Sequence, residues 1–328
     1  MSLKIILTSK SRRIRAGITI GDPSGIGPAI TVKALTRLRG LADFTVIGDL
    51  SVLRRVPGFK SLNKSGVKFT DPGFLGSKGF SFGNVAAEYG RASVLYLEKA
   101  LELSGSCDID CLITCPISKE AVNKAGFNYS GHTEFFSAKT GSHNTVMMLL
   151  NDRLKFSLVT RHISIKEVPR ALSKDKIRNT ALATHSALRK IFGFSLSRIA
   201  VCALNPHASD NGLLGGEENA VISPAVKSLS KDIPGICGPL PADSAISRAL
   251  KGDFDALVAM YHDQALIPLK ITGAQSGVNM TLGLPFIRTS PLHGTAFDIA
   301  KNPFLAEPAS LISAIKLAVK CASSLRKT

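Results

Sequence analysis

Tryptophan is absent from the 328 residues, tyrosine occurs 4 times, and aromatic side chains make up 6% of the chain. No nucleic-acid-binding module is recognisable, so the sequence gives a DNA or RNA reading nothing specific to rest on. No apolar run approaches the roughly 20 residues that span a bilayer. The N-terminal "MSLKIILTSKSRRIR" has an apolar patch of only Ile5–Leu7, too short for a secretory signal, and reads as a basic tail. Internal repeats, low-complexity segments and an obvious linker are also missing.

Cysteine is present but in the wrong pattern for metal or redox work. Cys107, Cys111 and Cys115 are spaced four apart, which matches neither a zinc CxxC nor an iron–sulfur run. Cys111 and Cys115 fall in the apolar "CLITCP", as buried structural thiols do. Free cysteines of this kind imply a reducing, cytoplasmic compartment. A nucleotide fingerprint is incomplete as well: "GDPSGIGPAI" at 21–30 follows a strand and opens a helix, yet its spacing is Gly25, Gly27, Ile30, without the third glycine.

Positive charge is abundant. Forty-one Lys and Arg against 24 Asp and Glu give +17. Apart from "KSRRIR" at 10–15 the basic residues are dispersed. This fits a solvated basic surface or a small phosphorylated or carboxylated ligand better than a nucleic acid.

Strand-like and helix-like segments alternate, which predicts an α/β fold with a largely parallel sheet. Strands are expected at 15–21, 43–49, 108–116, 144–150, 154–160, 197–205 and 255–263, and helices at 27–38, 84–103 and 310–325. The polar residues gather where strands end. His162 follows the strand 154–160, His207 lies in "NPHASDNG" after 197–205, and His262 follows the apolar run 255–260 within "AMYHDQALIPLK". In open α/β sheets that edge is where ligands bind. Three imidazoles from separate strands suit one divalent metal with positions left open for water or substrate. Asp263 beside His262 is a candidate partner that sets the imidazole tautomer.

Further polar residues cluster around this. His132 and Thr133 head "SGHTEFF", a helix start that suits either an anion or a plain N-cap. Lys270, Asn279 and Arg288 follow His262 by 8, 17 and 26 residues and could clamp a phosphate. His293 sits in "SPLHGTAFDIA", a loop that feeds a short helix.

Taken together, "GDPSGIGP", "SGHTEFF", "LNPHASDNG", "GPLPADS", "AMYHDQALIPLK", "VNMTLGLPFIRTS" and "HGTAFDIA" resemble, in order and spacing, the 4-hydroxythreonine-4-phosphate dehydrogenases, the PdxA family of vitamin B6 synthesis. The resemblance runs from about residue 15 to the C-terminus. It implies a fold like isocitrate and isopropylmalate dehydrogenases: two α/β/α lobes with a cleft between them and no Rossmann domain. The lobes would be 1–128 with 295–328, and 129–294. By the same resemblance His162, His207 and His262 match metal ligands for one Zn, Mg or Co ion. His132, Thr133, Lys270, Asn279 and Arg288 match substrate contacts. Asp243 in "LPADS" matches an acidic residue near the substrate hydroxyl, and Lys270 is either a proton acceptor or a phosphate clamp. His293, Gly294, Thr295, Ala296 and Asp298 match the loop around the adenosine of NAD or NADP.

A homodimer with the site at the subunit interface is implied, His262 coming from the partner, with no membrane and no nucleic acid involved. The activity implied is metal-dependent, NAD(P)-linked oxidation of 4-phosphohydroxy-L-threonine to a 3-keto acid, which decarboxylates to 3-amino-2-oxopropyl phosphate. The alternatives are the same chemistry on D-threonate or D-erythronate 4-phosphate, or a non-catalytic metal-binding homologue. This chain departs from the family at Ala29, Ala265, Ser209 and Asp210, and at Lys301-Asn302-Pro303, where a Gly-rich turn is usual. The last change touches the cofactor loop and bears on NAD against NADP.

Overall fold

The computed structural model describes residues 12–76, 78–129 and 131–326; most of the expected basic tail lies outside them. The described residues divide into two compact units, 12–143 with 284–326, and 144–283. The expected borders were 128/129 and 294/295. The observed ones keep the His132–Thr140 helix and the strand Ile287–Pro291 with the first unit.

The first unit is built on five strands: β1 (Arg15–Thr19), β2 (Asp43–Ile47), β3 (Lys68–Thr70), β4 (Cys111–Thr114) and β11 (Ile287–Pro291). Their order is β3-β2-β1-β4-β11, and every neighbouring pair is parallel. All four residues of β4 are buried, as expected of a parallel strand covered on both faces. The Gly27–Arg37 helix starts with Pro28, whose fixed φ and missing N–H suit a first turn. The closing Ala309–Leu325 helix buries Leu311, Ala314, Ile315, Ala318, Val319 and Ala322, a stripe at helical spacing.

The second unit has β5 (Val146–Leu150), β6 (Lys155–Leu158), β7 (Ile199–Cys202), β8 (Ile236–Leu240), β9 (Ala256–Ala259) and β10 (Val278–Leu282), in the order β10-β5-β6-β9-β7-β8. The sheet is largely parallel, as expected, with β5 as the exception: it is antiparallel to both β10 and β6. Asn151 makes the β5–β6 hairpin: its N–H bonds to Leu154 O (3.0 Å) while its Oδ1 accepts from Leu154 N (2.9 Å). The remaining pairs, β6–β9, β9–β7 and β7–β8, are parallel. Ile177, Leu188, Ile199, Val201, Leu229 and Val258 form the core under this half.

The strand expected over 255–263 is also shorter. It stops at Ala259, and His262 begins a helix, His262–Gly273. The cause is local: the N–H of Met260 donates to Gln264 Oε1 (2.8 Å), which turns the chain out of the sheet. Pro268 is tolerated inside this helix, where its carbonyl accepts from Thr272 Oγ1 (2.7 Å). Among the described residues, no helix is long and apolar enough to cross a membrane.

Helix packing in the first unit is set by one close approach. A Cβ added to Gly90, in the Ala87–Gly105 helix, would collide with the Ala121 carbonyl of the Lys119–Lys124 helix. Alanine at a helix interior normally stabilises relative to glycine. Gly90→Ala should instead destabilise by about 1–3 kcal/mol, because the two backbones must separate. Thermal unfolding gives the sign, and a raised melting temperature would contradict this packing.

Candidate functional site

Because β6, β9, β7 and β8 are parallel, their C-terminal ends share one edge of the second unit. His162, His262, His207 and Asp243 follow those four strands in turn. The rings of His162 and His262, from adjacent strands, have centroids 5.5 Å apart and are inclined at 52°. No second copy of the chain is required to bring these two together. The Nδ1 of His262 is 2.8 Å from Asp263 Oδ1. That contact leaves Nε2 as the nitrogen able to ligate, the arrangement expected of a metal-binding histidine.

Buried hydrogen bonds align the strand ends beneath these rings. Thr160 Oγ1 donates to Met260 O (2.6 Å), tying the end of β6 to the end of β9. Gln264 Nε2 donates to Ala203 O (2.7 Å), tying β9 to β7. Glu218, 1% exposed, accepts from the N–H groups of Leu204 (2.9 Å) and Asn205 (2.8 Å) and from Asn205 Nδ2 (2.9 Å). Burial alone would raise its pKa, but these hydrogen bonds outweigh it and hold the carboxylate below its ordinary value. Just beyond, His207, Ala208, Ser209, Asp210 and Asn211 all have left-handed φ, between 44° and 68°. Such conformations cost non-glycine residues free energy and persist only where the surroundings over-determine them.

The donor set fits a divalent metal at the His162–His262 pair, two imidazoles with one tautomer fixed by a carboxylate. Among the described residues, no group of three or more His, Cys, Asp or Glu is gathered as a metal set, so His207 is not drawn into that pair. Asp243 and Lys270 are exposed, Asp243 in the first turn after β8 and Lys270 in the helix that His262 begins. Asn279 lies on β10, and its Oδ1 is buried without a hydrogen-bond partner among the described residues.

The first unit gathers the other expected residues. Arg288 on β11 is 2% exposed, and its Nε (3.1 Å) and Nη2 (2.6 Å) both donate to Thr114 Oγ1 at the end of β4. Burial lowers its pKa to about 9, opposed by the charge of Glu134, so the guanidinium is cationic at neutral pH. The arginine expected as a phosphate contact is thus a buried cation. His132 is half-buried, with its Nε2 shielded from solvent. Burial and then the Arg288 charge push its pKa well below the ordinary value, against a hydrogen bond to the Cys115 carbonyl. His132 is therefore neutral, and its Nε2 has no partner among the described residues. Thr133 is buried beside it at the start of the His132–Thr140 helix.

The glycine-rich loop and the 293–298 loop meet in this unit: Ile26 N donates to Thr295 O (2.9 Å). Gly21, at φ 71°, lies so close to the Cys115–Pro116 backbone that a Cβ there has no room. Next to it Asp22 is fully buried, with Oδ1 accepting from Ser24 N (2.9 Å) and Oδ2 unpartnered among the described residues. His293 Nδ1 is 3.0 Å from Gly294 O, and its Nε2 is likewise buried and unpartnered. Burial lowers the His293 pKa against that carbonyl. Unpartnered polar atoms on both loops fit a ligand that carries hydroxyls or an amide, as a nucleotide does. Ala296, at φ 46°, precedes the Phe297–Ala300 turn, and Gly294 and Asp298 are exposed. The unusual Lys301-Asn302-Pro303 forms a capped turn in which Asn302 Oδ1 accepts from Phe304 N (3.2 Å).

Comparison with known proteins shows which family the chain resembles. A family model described as pyridoxal phosphate biosynthetic protein PdxA matches residues 41–318. A 4-hydroxythreonine-4-phosphate dehydrogenase of Sulfurihydrogenibium sp. is 42% identical over 321 residues, covering 93% of this chain and 98% of that protein. A D-threonate 4-phosphate dehydrogenase of Cupriavidus necator is 38% identical over 325 residues, covering 94% and 97%. The crystal structure of 4-hydroxythreonine-4-phosphate dehydrogenase from Klebsiella pneumoniae matches with a TM-score of 0.86 at 35% identity, covering 96% of this chain and 100% of that one.

Asp22 yields a pH prediction. Burial raises its pKa from 3.8 to about 6, against backbone N–H groups of Ser24, Ser118 and Gly25. A carboxyl whose folded pKa is raised favours folding below its unfolded value, and that contribution is lost as pH rises through the folded value. Asp22→Asn keeps an oxygen for Ser24 and cannot ionise. It should gain about 3 kcal/mol over the native chain at pH 8, and nothing at pH 3. Denaturant titrations of both proteins at the two pH values check this.

Proposed function

The chain belongs to the pyridoxal phosphate biosynthetic protein PdxA family, and we propose that it oxidises 4-phosphohydroxy-L-threonine at its secondary hydroxyl with NAD or NADP. It is a dehydrogenase. The observation that carries the reading is the edge of the second unit, where four neighbouring parallel strands are followed in turn by His162, His262, His207 and Asp243.

His162 and His262 would hold one divalent ion (Zn, Mg or Co), with His207, which stands apart from that pair within the chain, as the third ligand the resemblance implies. The charge of such an ion would lower the pKa of the substrate hydroxyl and favour the developing ketone. Asp263 fixes the His262 tautomer for that task. His293, Gly294, Thr295, Ala296 and Asp298 would line the nucleotide, whose nicotinamide accepts the hydride. The hydroxyl proton leaves to a base, for which Asp243 and Lys270 are the candidates. The product is a ketone beta to the carboxylate, and loss of CO2 with uptake of one proton gives 3-amino-2-oxopropyl phosphate. Arg288, His132 and Thr133 would take the phosphate, with Lys270 and Asn279 as further substrate contacts. Holding the phosphate fixes the position of the reacting carbon. His132 does this as a neutral group, so the charge on that side comes from Arg288.

A second reading keeps the chemistry and changes the substrate to D-threonate 4-phosphate. It is favoured by relatives of that name at nearly the same identity as those named for the threonine derivative. A homodimer completes the proposal. Ile165 (66% exposed), Leu213 (86%) and Ile271 (80%) lie on the segments that carry the three histidines, and a second copy could cover them. The free cysteines accord with a cytoplasmic setting.

Absorbance of NAD(P)H on adding 4-phosphohydroxy-L-threonine, beside D-threonate and D-erythronate 4-phosphates, tests the reading. Turnover of the first supports it; turnover of only the acid phosphates moves the chain to the second reading. No turnover at full metal occupancy would leave a non-catalytic homologue. Asp263→Asn should weaken metal binding by about 10–100-fold, as losing an orienting carboxylate does. Metal titration by calorimetry reads this without turnover.

A further inference from the structure

Arg288 and Thr114 are held together by sheet register. Arg288 on β11 pairs with Leu112 on β4, and Thr114 lies two residues further along the same strand. Side chains two apart on a strand share a face, so an arginine extended along that face reaches the level of Thr114. Thr114 is fully buried and β-branched, so its hydroxyl has little rotamer freedom. It accepts from two nitrogens on one edge of the guanidinium, Nε at 3.1 Å and Nη2 at 2.6 Å. Two donors meeting one fixed acceptor define the plane of the group as well as its position.

The same corner holds polar atoms whose hydrogen bonds are not satisfied. Thr19 pairs with Thr114 across β1 and β4, and its Oγ1 is buried without a partner among the described residues. His132 Nε2 is in the same condition, close enough to Arg288 to feel its charge. Groups of this kind in a native protein call for a ligand or water.

We propose that Thr114 is a positioning residue for substrate binding, which orients the buried Arg288 guanidinium to receive the phosphate of the substrate. This rests on the reading of Arg288 as a phosphate contact. A neutral hydroxyl suits the task, since it satisfies two donors without cancelling the charge that attracts the anion. A carboxylate in its place would hold the arginine as firmly and compete with the phosphate.

The test compares Thr114→Val, Thr114→Ser and Arg288→Lys in the metal- and cofactor-loaded enzyme. It uses whichever four-carbon 4-phosphate is turned over, with inorganic phosphate as competing probe. Thr114→Val should raise both KM and the inhibition constant of phosphate by about 10-fold or more while kcat stays within about 2-fold. Thr114→Ser, which keeps the acceptor, should restore both. If Thr114→Val does not fold, Thr114→Ala takes its place in the comparison. Unchanged KM and phosphate inhibition in the valine or alanine variant overturn the proposal, as does a fall in kcat alone. When Arg288→Lys raises both constants in that case, the phosphate reading stands and only the role of Thr114 fails. When Arg288→Lys is silent too, the phosphate reading fails with it.

Discussion

One buried amide governs the histidine edge. Gln264 accepts from the Met260 N–H through Oε1 and donates to the Ala203 carbonyl through Nε2, both at less than 3 Å. The first bond ends β9 and starts the helix at His262. The second fixes that helix start against the end of β7, from which the His207 loop departs. Both are shielded from water, so losing either leaves a backbone group unsatisfied in a low-dielectric interior. Thr160 adds β6 to the same seam. The imidazoles at this edge are thus set by backbone held to buried side chains, with few contacts among themselves.

The first unit solves a different problem. It buries a guanidinium, a neutral imidazole and a carboxyl in a small region, each of which is unfavourable away from water. Arg288 is relieved by Thr114 and the Glu134 charge, and His132 by losing its proton. Asp22 has the least relief, which is why its pKa rises. Local rules broken together in this way mark a functional site more often than a structural one.

Much of this was legible in the chain. The strand ends that carry His162 and His207 follow from apolar runs that stop on polar loops, and the helix at His132 from its Ser-Gly start. His262 follows a strand end as expected, but the helix it begins was not visible, because the "YHD" triplet reads as the tip of the strand 255–263. What decides the matter is the bond from Met260 to Gln264, and side-chain partners leave no periodicity. The burial of Arg288 was hidden for the same reason: a lone arginine in "FIRTS" says nothing about a threonine 174 positions away. Thr114 was hidden inside "CLITCP" as one more strand residue. Glu218 drew no notice in "GGEEN", since acidic pairs in loops are ordinarily solvated.

The least legible feature is the left-handed turn at His207–Asn211. Of its five residues none is glycine, and each left-handed residue costs about 1–2 kcal/mol. The turn must therefore be held from both sides. Upstream, Glu218 fastens the Leu204 and Asn205 N–H groups. Downstream, Ser209 Oγ accepts from Gly212 N (3.1 Å) and Ser209 O from Leu214 N (3.1 Å). A right-handed turn between the same anchors would send the His207 side chain in another direction, because the hand of the backbone decides where successive Cβ atoms point. The strain is then tied to the aim of one imidazole. Glu218, whose carboxylate bonds to Leu204 and Asn205, becomes as necessary to the edge as the histidines it carries.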